Sequence, residues 1–265
     1  MQIMIIFNHI PKTAGASFRY ILNRQYRNAI YNISDTNLSR DIKRFNEMNA
    51  DFQNSFEIIS GHCAQFLERK SFNNKKIVFL RNPTEQLLST YYQIRKNPNN
   101  KWHEVSRKCS SALEVAEFLD EYGLSNLQTR FLASNEDLVN GLETEKNQFK
   151  KINENDYLRA VKNLSEYSFI GLTEEFDKSI LIFKKQLFWK TPYYLIGNKT
   201  SDSEKVILNA EELNSIKKIQ YYDHKLYEEG ILKFRKIEDG IPISANELKA
   251  FQFKNFIFNK LKRLF

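Results

Sequence analysis

The sequence predicts an α/β fold, a central parallel sheet flanked by helices, and three observations carry that prediction. The run Ile3-Met4-Ile5-Ile6-Phe7-Asn8-His9-Ile10 has strand character. It gives way through Pro11-Lys12 and a run of small residues to a helical pattern with Phe18, Ile21 and Leu22 on one face. Lys76-Ile77-Val78-Phe79-Leu80 is a continuous apolar run, as expected of a parallel strand buried on both faces, and Pro83 just beyond it suits the first turn of a helix. Further strand-like and helix-like stretches alternate along the chain, the order that builds a parallel sheet.

In chain order, a first helix is expected from about Ser17 to Arg27, followed by a polar stretch, Asn28 to Asp51, with a short helical pattern near Leu38, Ile42 and Phe45. Phe56 to Ser60 reads as the second strand and Lys76 to Leu80 as the third. The next helix carries Leu87, Leu88, Tyr91, Tyr92 and Ile94, and Asn97-Pro98-Asn99-Asn100 is a turn cluster. Helices are expected at Ala112 to Tyr122, Leu124 to Ala133 and Asp156 to Leu164, with a charged surface excursion from Asn135 to Asn153. Tyr167 to Gly171 is the fourth strand. Thr173-Glu174-Glu175 reads as an N-cap with dipole-complementing acids, opening a long helix to Trp189, and Glu211 to Glu229 forms another. The expected organisation is one domain over residues 1–240 and a basic, aromatic C-terminal segment over 241–265. Phe251 to Phe265 is a helix candidate there, either packed on the core or lying on an anionic membrane.

Composition narrows the function. The 265 residues are 42% hydrophobic and 14% aromatic, enough for a sizeable core. A formal net charge of +8 favours anionic partners, whether nucleotides, acidic glycans, nucleic acid or anionic membranes. Lys and Arg are scattered, with no zinc-finger spacing and no aromatic RNA-binding signature, which argues against nucleic acid. Cys63 and Cys109 are too few for a disulfide scaffold and are expected to be reduced. No apolar run reaches membrane-spanning length and no signal-peptide pattern opens the chain, so a cytoplasmic enzyme is expected. Abundant Asn, Lys, Ile and Phe hint at an AT-rich, bacterial coding sequence.

The chemistry-bearing residues gather at corners. Ligands of parallel sheets bind beyond the carboxyl ends of the strands, and three corners fall there: the loop after Ile10, Gly61-His62, and Arg81. At the first, a strand, small residues and a helix N-terminus make an anion site. Free amides converge, the helix dipole adds positive charge, and Ala14, Gly15, Ala16 and Ser17 leave room for a phosphate. Lys12 adds a mobile positive charge. At the third, Arg81 offers a fork of parallel donors and Ser89, two turns into the following helix, a hydroxyl.

The order Lys12-Thr13-Ala14-Gly15, with Lys before the only Gly, differs from the G-x-x-x-x-G-K-[ST] phosphate loop. It resembles instead the 5′-phosphosulfate loop of sulfotransferases that use 3′-phosphoadenosine 5′-phosphosulfate (PAPS). His9-Ile10-Pro11-Lys12-Thr13-Ala14-Gly15-Ala16-Ser17-Phe18 is similar to the form in carbohydrate sulfotransferases, including the heparan sulfate 2-O- and 6-O-sulfotransferases. Leu80-Arg81-Asn82-Pro83 with Leu87-Leu88-Ser89 and Tyr91-Tyr92 resembles the family's 3′-phosphate motif, roughly sixty-odd residues further on as the family has it. Asn126-Leu127-Gln128-Thr129-Arg130-Phe131-Leu132, Gly171-Leu172-Thr173-Glu174-Glu175-Phe176 and Asn198-Lys199-Thr200 recur in the same order. The resemblance covers Ile3 to Thr200, and Ala16 departs from it where a Ser or Thr is usual.

That resemblance implies a PAPS-dependent sulfotransferase acting on a hydroxyl of a glycan. Lys12 and His62 would be catalytic, His62 as the base, with His9 its rival at the same sheet edge. Residues Lys12, Thr13, Ala14, Gly15, Ala16, Ser17, Phe18, Arg81, Ser89, Asn198, Lys199 and Thr200 would bind the donor, and no metal is implied. His103 and His224 lie outside any matching motif, and Cys63 reads as a small buried residue. The side chains of Asn126, Gln128 and Thr129 could face the ligands or brace helices. A nucleotide-dependent phosphotransferase is the alternative enzyme, weakened by the missing Gly-Lys order and by the lack of an acid after a strand to hold magnesium. A non-catalytic glycan-binding protein is the other.

Overall fold

The computed structural model describes residues 3–35, 37–67, 73–134, 137–143, 149–196 and 206–262. The chain divides into two compact units: one made of residues 1–80, 166–197 and 230–265, the other of 81–165 and 198–229.

The first unit holds the sheet. Its five strands, β1 (Ile3–Asn8), β2 (Ile30–Asn32), β3 (Ile58–Gly61), β4 (Asn73–Leu80) and β5 (Phe169–Leu172), run in the order β2-β3-β1-β4-β5 and every pairing is parallel. The most apolar run, β1, takes the centre, where both faces are covered. Asn8 registers with Gly61 on one side and Val78 on the other, so the carboxyl ends of β3, β1 and β4 line up along one edge. Helices α1 (Gly15–Tyr26), α2 (Leu38–Glu47) and α3 (Ala50–Asn54) belong to this unit, as do α10 (Phe176–Leu187) and α13 (Ala245–Lys262). Phe18 of α1 turns its fully buried ring onto Phe7, Phe79, Phe183 and Trp189, which fixes the helix on the sheet.

The second unit is helical: α4 (Pro83–Lys96), α5 (His103–Lys108), α6 (Ala112–Glu121), α7 (Leu127–Ala133), α8 (Asp137–Glu143), α9 (Glu154–Ser165) and α11 (Ala210–Ile219). The long α12 (Tyr221–Gly240) begins in it and continues into the first unit. Leu88, Tyr91 and Ile94 of α4 pack on Ala112, Val115 and Leu119 of α6, as the helical spacing of those residues requires.

Three expectations are corrected. The short β2 lies inside the stretch read as irregular, because three residues are too few to show alternation. Thr173 does not cap α10. Its amide and hydroxyl both donate to the Leu80 carbonyl, at 2.8 and 3.1 Å, and the helix starts after Glu175. The single helix expected from Glu211 to Glu229 is two, broken at Gln220, whose side-chain oxygen accepts the Asn126 N–H at 2.9 Å.

Candidate functional site

Between β1 and α1 the backbone is forced into conformations that side chains disfavour: Lys12 has φ 65° and Ala14 φ 63°. Strain of this kind costs about 1 kcal/mol or more per residue and collects at functional sites. Ala14 stands at the N-cap, where Ser, Thr, Asp or Asn would ordinarily supply an oxygen. No side chain caps α1 and no acid sits in its first turn, so the amides opening the helix face a site that favours an anion.

The loop's named residues divide in two. Thr13 is fully buried and its hydroxyl donates to the Ile10 carbonyl at 2.9 Å, which closes the loop from inside. Phe18 uses its ring in the core and its N–H on the Ala14 carbonyl, so neither group faces a ligand. Ser17 donates its hydroxyl to the Leu195 carbonyl at 3.3 Å. Ala14, Gly15 and Ala16 contribute backbone. The reason for Gly15 differs from the one the sequence suggests: a β-carbon there would lie 1.8 Å from Nε2 of His9, so the glycine admits the imidazole that packs against it.

That imidazole begins a cluster. The rings of His9 and His62 stack with centroids 4.4 Å apart and planes 12° from parallel. Nδ1 of His62 lies 2.5 Å from the His9 carbonyl, and a carbonyl only accepts, so Nδ1 carries the proton and Nε2 of the neutral ring carries the lone pair. Nε2 stands 3.6 Å from Oδ1 of Asp35, which Arg19 holds by an ion pair at 3.1 Å. Burial pushes the pKa of His62 below the usual value while the Asp35 charge pulls it back up. Burial, with His62, Arg19 and Lys12 adding repulsion, pushes His9 well below its usual value. Both rings are largely buried, with 9% of His9 and 12% of the His62 side chain exposed, and Nδ1 of His9 is buried and unpartnered. Gly61 (φ 148°) and Cys63 (φ 62°) bend the chain so that His62 meets His9.

Donor atoms of His9, Asp35 and His62 lie within 4.8 Å of one another, the reach of a metal centre. Stacked imidazoles, however, aim their in-plane lone pairs along parallel planes instead of at a common point. As they stand, these three residues form a pair of neutral bases beside a carboxylate.

In the second unit, Arg81 opens the chain just after β4. Gln128 clamps its backbone, accepting the Arg81 N–H at 3.0 Å and donating to the Arg81 carbonyl at 2.8 Å. The guanidinium is 3.8 Å from the Glu85 carboxylate, one helical turn on, and Ser89 lies half-buried on α4. Gln128, Thr129 and Asn126 therefore brace. The fully buried Asp223 accepts from the amides of Gln128 (3.0 Å) and Thr129 (2.7 Å) and from the Thr129 hydroxyl (2.7 Å). Asn126 donates to the Ile219 carbonyl and accepts the Asp223 N–H. His103 donates through Nδ1 to the Ile94 carbonyl, a structural bond. Cys63 and Cys109 form no disulfide with each other. Asn198, Lys199 and Thr200 lie outside the described residues.

Sequence reading missed Arg19, Asp35, Gln128 in its clamping role, and Asp223. Asp35 sits in the polar stretch that showed no periodicity, and nothing local pairs Gln128 with Arg81, 47 positions away. No curated protein matches the chain. The family model described as the sulfotransferase family matches residues 2–228, so this chain belongs to the sulfotransferase family, whose members transfer sulfuryl groups.

Proposed function

We propose that the chain transfers the sulfuryl group of PAPS to a hydroxyl of a glycan acceptor. One observation carries the reading: an uncapped helix N-terminus, entered through a strained Lys12 turn, on the same sheet edge as a histidine held in one tautomer. The uncapped amides and Lys12 suit the 5′-phosphosulfate end of the donor. The family resemblance assigns the 3′-phosphate to Arg81 and Ser89, with Gln128 holding the Arg81 backbone.

PAPS, when bound, supplies an activated sulfur whose bond to the 5′-phosphate oxygen breaks as the acceptor oxygen bonds to it. The leaving oxygen gains negative charge, which Lys12 and the amides of Gly15 and Ala16 stabilise. The acceptor hydroxyl loses its proton to Nε2 of His62: the bond from Nδ1–H to the His9 carbonyl sets the tautomer that leaves the lone pair on Nε2, and burial favours the neutral ring. Asp35 then stabilises the imidazolium. His9 supplies the accepting carbonyl and the stacked ring, so it positions the base. A glycan is favoured as acceptor by the basic net charge and by the form of the loop motif. A cytoplasmic site of action accords with this reading.

Thermal unfolding tests the donor assignment. Adenosine 3′,5′-bisphosphate should raise the melting temperature far more than AMP, and Arg81→Ala should weaken the bisphosphate by about 2–3 kcal/mol. Equal stabilisation by the two nucleotides would remove the 3′-phosphate role of Arg81. Transfer of labelled sulfate to a panel of glycans, lipids and tyrosine peptides then identifies the acceptor class.

A further inference from the structure

Helix α13 has two apolar faces, and the first unit covers only one of them. On the inner face Phe251, Asn255 and Asn259 are buried. Asn255 and Asn259 each accept a backbone amide at 2.9 Å, from Tyr194 and Ile196, and Asn259 returns a bond to the Tyr194 carbonyl. Lys185 pairs with Glu247 at 3.0 Å, and the Phe251 and Phe258 rings meet Tyr193. The helix is firmly seated.

The outer face is bare. Phe253 is 66% exposed, Phe256 52%, Ile257 39% and Leu261 54%. At 3.6 residues per turn, positions 253, 256, 257 and 260 fall on one side of the helix, opposite 251, 255 and 259. From Leu248 to Lys262 there is no acid, while Lys249, Lys254 and Lys260 are exposed beside the outer apolar positions and Lys262 is exposed at the end of the helix. The Lys260 ammonium lies 4.9 Å from the Phe256 ring centroid.

We propose that the outer face of α13 docks the protein onto an anionic lipid surface. Phenylalanine and isoleucine side chains would enter the boundary between headgroups and acyl chains while the lysines meet anionic headgroups. A second protein or a second copy of this chain is a poorer match. A protein interface tends to exclude charge, particularly lysine, from its core, and a copy docked on the same face would bring lysines against lysines. No described helix is long and apolar enough to cross a membrane, so the helix would lie in the surface plane.

Because the inner face is structural, deleting the helix would confuse docking with folding, so the test uses the full chain with outer-face substitutions. The wild type should sediment with vesicles of phosphatidylcholine mixed with phosphatidylglycerol, weakly with phosphatidylcholine alone, and less in high salt. The pair Phe253→Ser and Phe256→Ser, and separately the pair Lys254→Gln and Lys260→Gln, should each weaken vesicle binding about ten-fold or more. The cooperative melt should stay unchanged in both. Phe253→Trp provides a second readout, a blue shift of its fluorescence on adding the anionic vesicles. Absence of wild-type sedimentation, undiminished binding by both double variants, or an unshifted Phe253→Trp would each overturn the proposal. So would a concentration-dependent dimer that the phenylalanine variant abolishes in a chain that ignores lipid.

Discussion

The carboxyl ends of β1 and β3 and the start of α7 both collect buried polar side chains, and they treat them in opposite ways. At α7 the polar groups answer one another: Asp223 accepts three hydrogen bonds, and Asn126 joins it to the Ile219 carbonyl. At the strand ends, Asn8 Oδ1, His9 Nδ1 and Ser60 Oγ are buried without a partner, and Lys12, Ala14 and Cys63 hold left-handed backbone; at the start of α7 that conformation falls to Asn126, a residue type that tolerates it far better. Each such feature costs about 1–3 kcal/mol. A fold keeps costs of that size where a ligand or a reaction uses them and removes them where only stability is at stake. Substitutions at the strand ends should therefore harm activity, and substitutions at the α7 network should harm stability.

The largest expected effect lies at the strand ends. Lys12→Ala should lower turnover by about 10²–10⁴-fold with modest loss of donor affinity, since its charge matters most in the transition state. Lys12→Gly should be as inactive, yet equally or more stable, by up to about 1 kcal/mol, because glycine accepts the left-handed conformation freely. His62→Ala should bind the donor nearly normally and lose about a hundred-fold in rate, together with the acidic limb of the pH–rate profile. A Lys12→Gly protein that is active but poorly folded would erase the distinction between the two regions. Near-normal turnover in His62→Ala beside collapse in a folded His9→Ala would move the base role to His9.

The two regions were unequally legible in the sequence. The β1–α1 corner could be read because strand, loop and helix are contiguous, so an apolar run, Pro11-Lys12 and the periodic Phe18, Ile21 and Leu22 state the geometry locally. The α4 helix and the strand before it were legible for the same reason. The α7 network was not, because its bonds join residues more than ninety positions apart, and an aspartate inside a helical pattern looks like any solvated acid. The same gap hid Asp35 behind His62. What marks Gly15 in the sequence is its smallness, but only the fold shows that the neighbour needing the space is His9.

Asp223→Ala tests the other side of the comparison. It would leave the Gln128 and Thr129 amides and the Thr129 hydroxyl buried without an acceptor, and should cost about 3 kcal/mol or more of unfolding free energy. Asp223→Asn should lose less, since one amide oxygen still accepts while its NH₂ faces a donor. Turnover of the folded fraction should change far less than in Lys12→Ala. If Asp223→Ala melts like the wild type but cannot turn over, the network belongs to the chemistry and the division between the two regions fails.

The smallest effect is the dependence of stability on pH, where the two regions should carry opposite signs. His9 and His62 titrate below the unfolded value of 6.5, mainly through burial. As pH falls through that value, the unfolded chain takes up protons that the native histidines refuse. Their contribution to stability is therefore present above about pH 6.5 and is lost on acidification, by at most about 1.4 kcal/mol per pH unit for each histidine. Burial pushes Asp223 the other way, up to about 6, against its three donors. Below about that pH the native carboxylate takes up a proton before the unfolded one does, which favours the native state as pH falls towards 3.8. Unfolding free energy measured between about pH 5.5 and 7 should rise with pH in the wild type. The slope should flatten in His62→Gln, whose side-chain amide still donates to the His9 carbonyl, and steepen in Asp223→Asn, which removes the opposing titration. A His62→Gln slope equal to that of the wild type would mean that native His62 takes up protons as the unfolded residue does, and a steeper one would mean that it is held protonated across this range, which would disqualify it as the base.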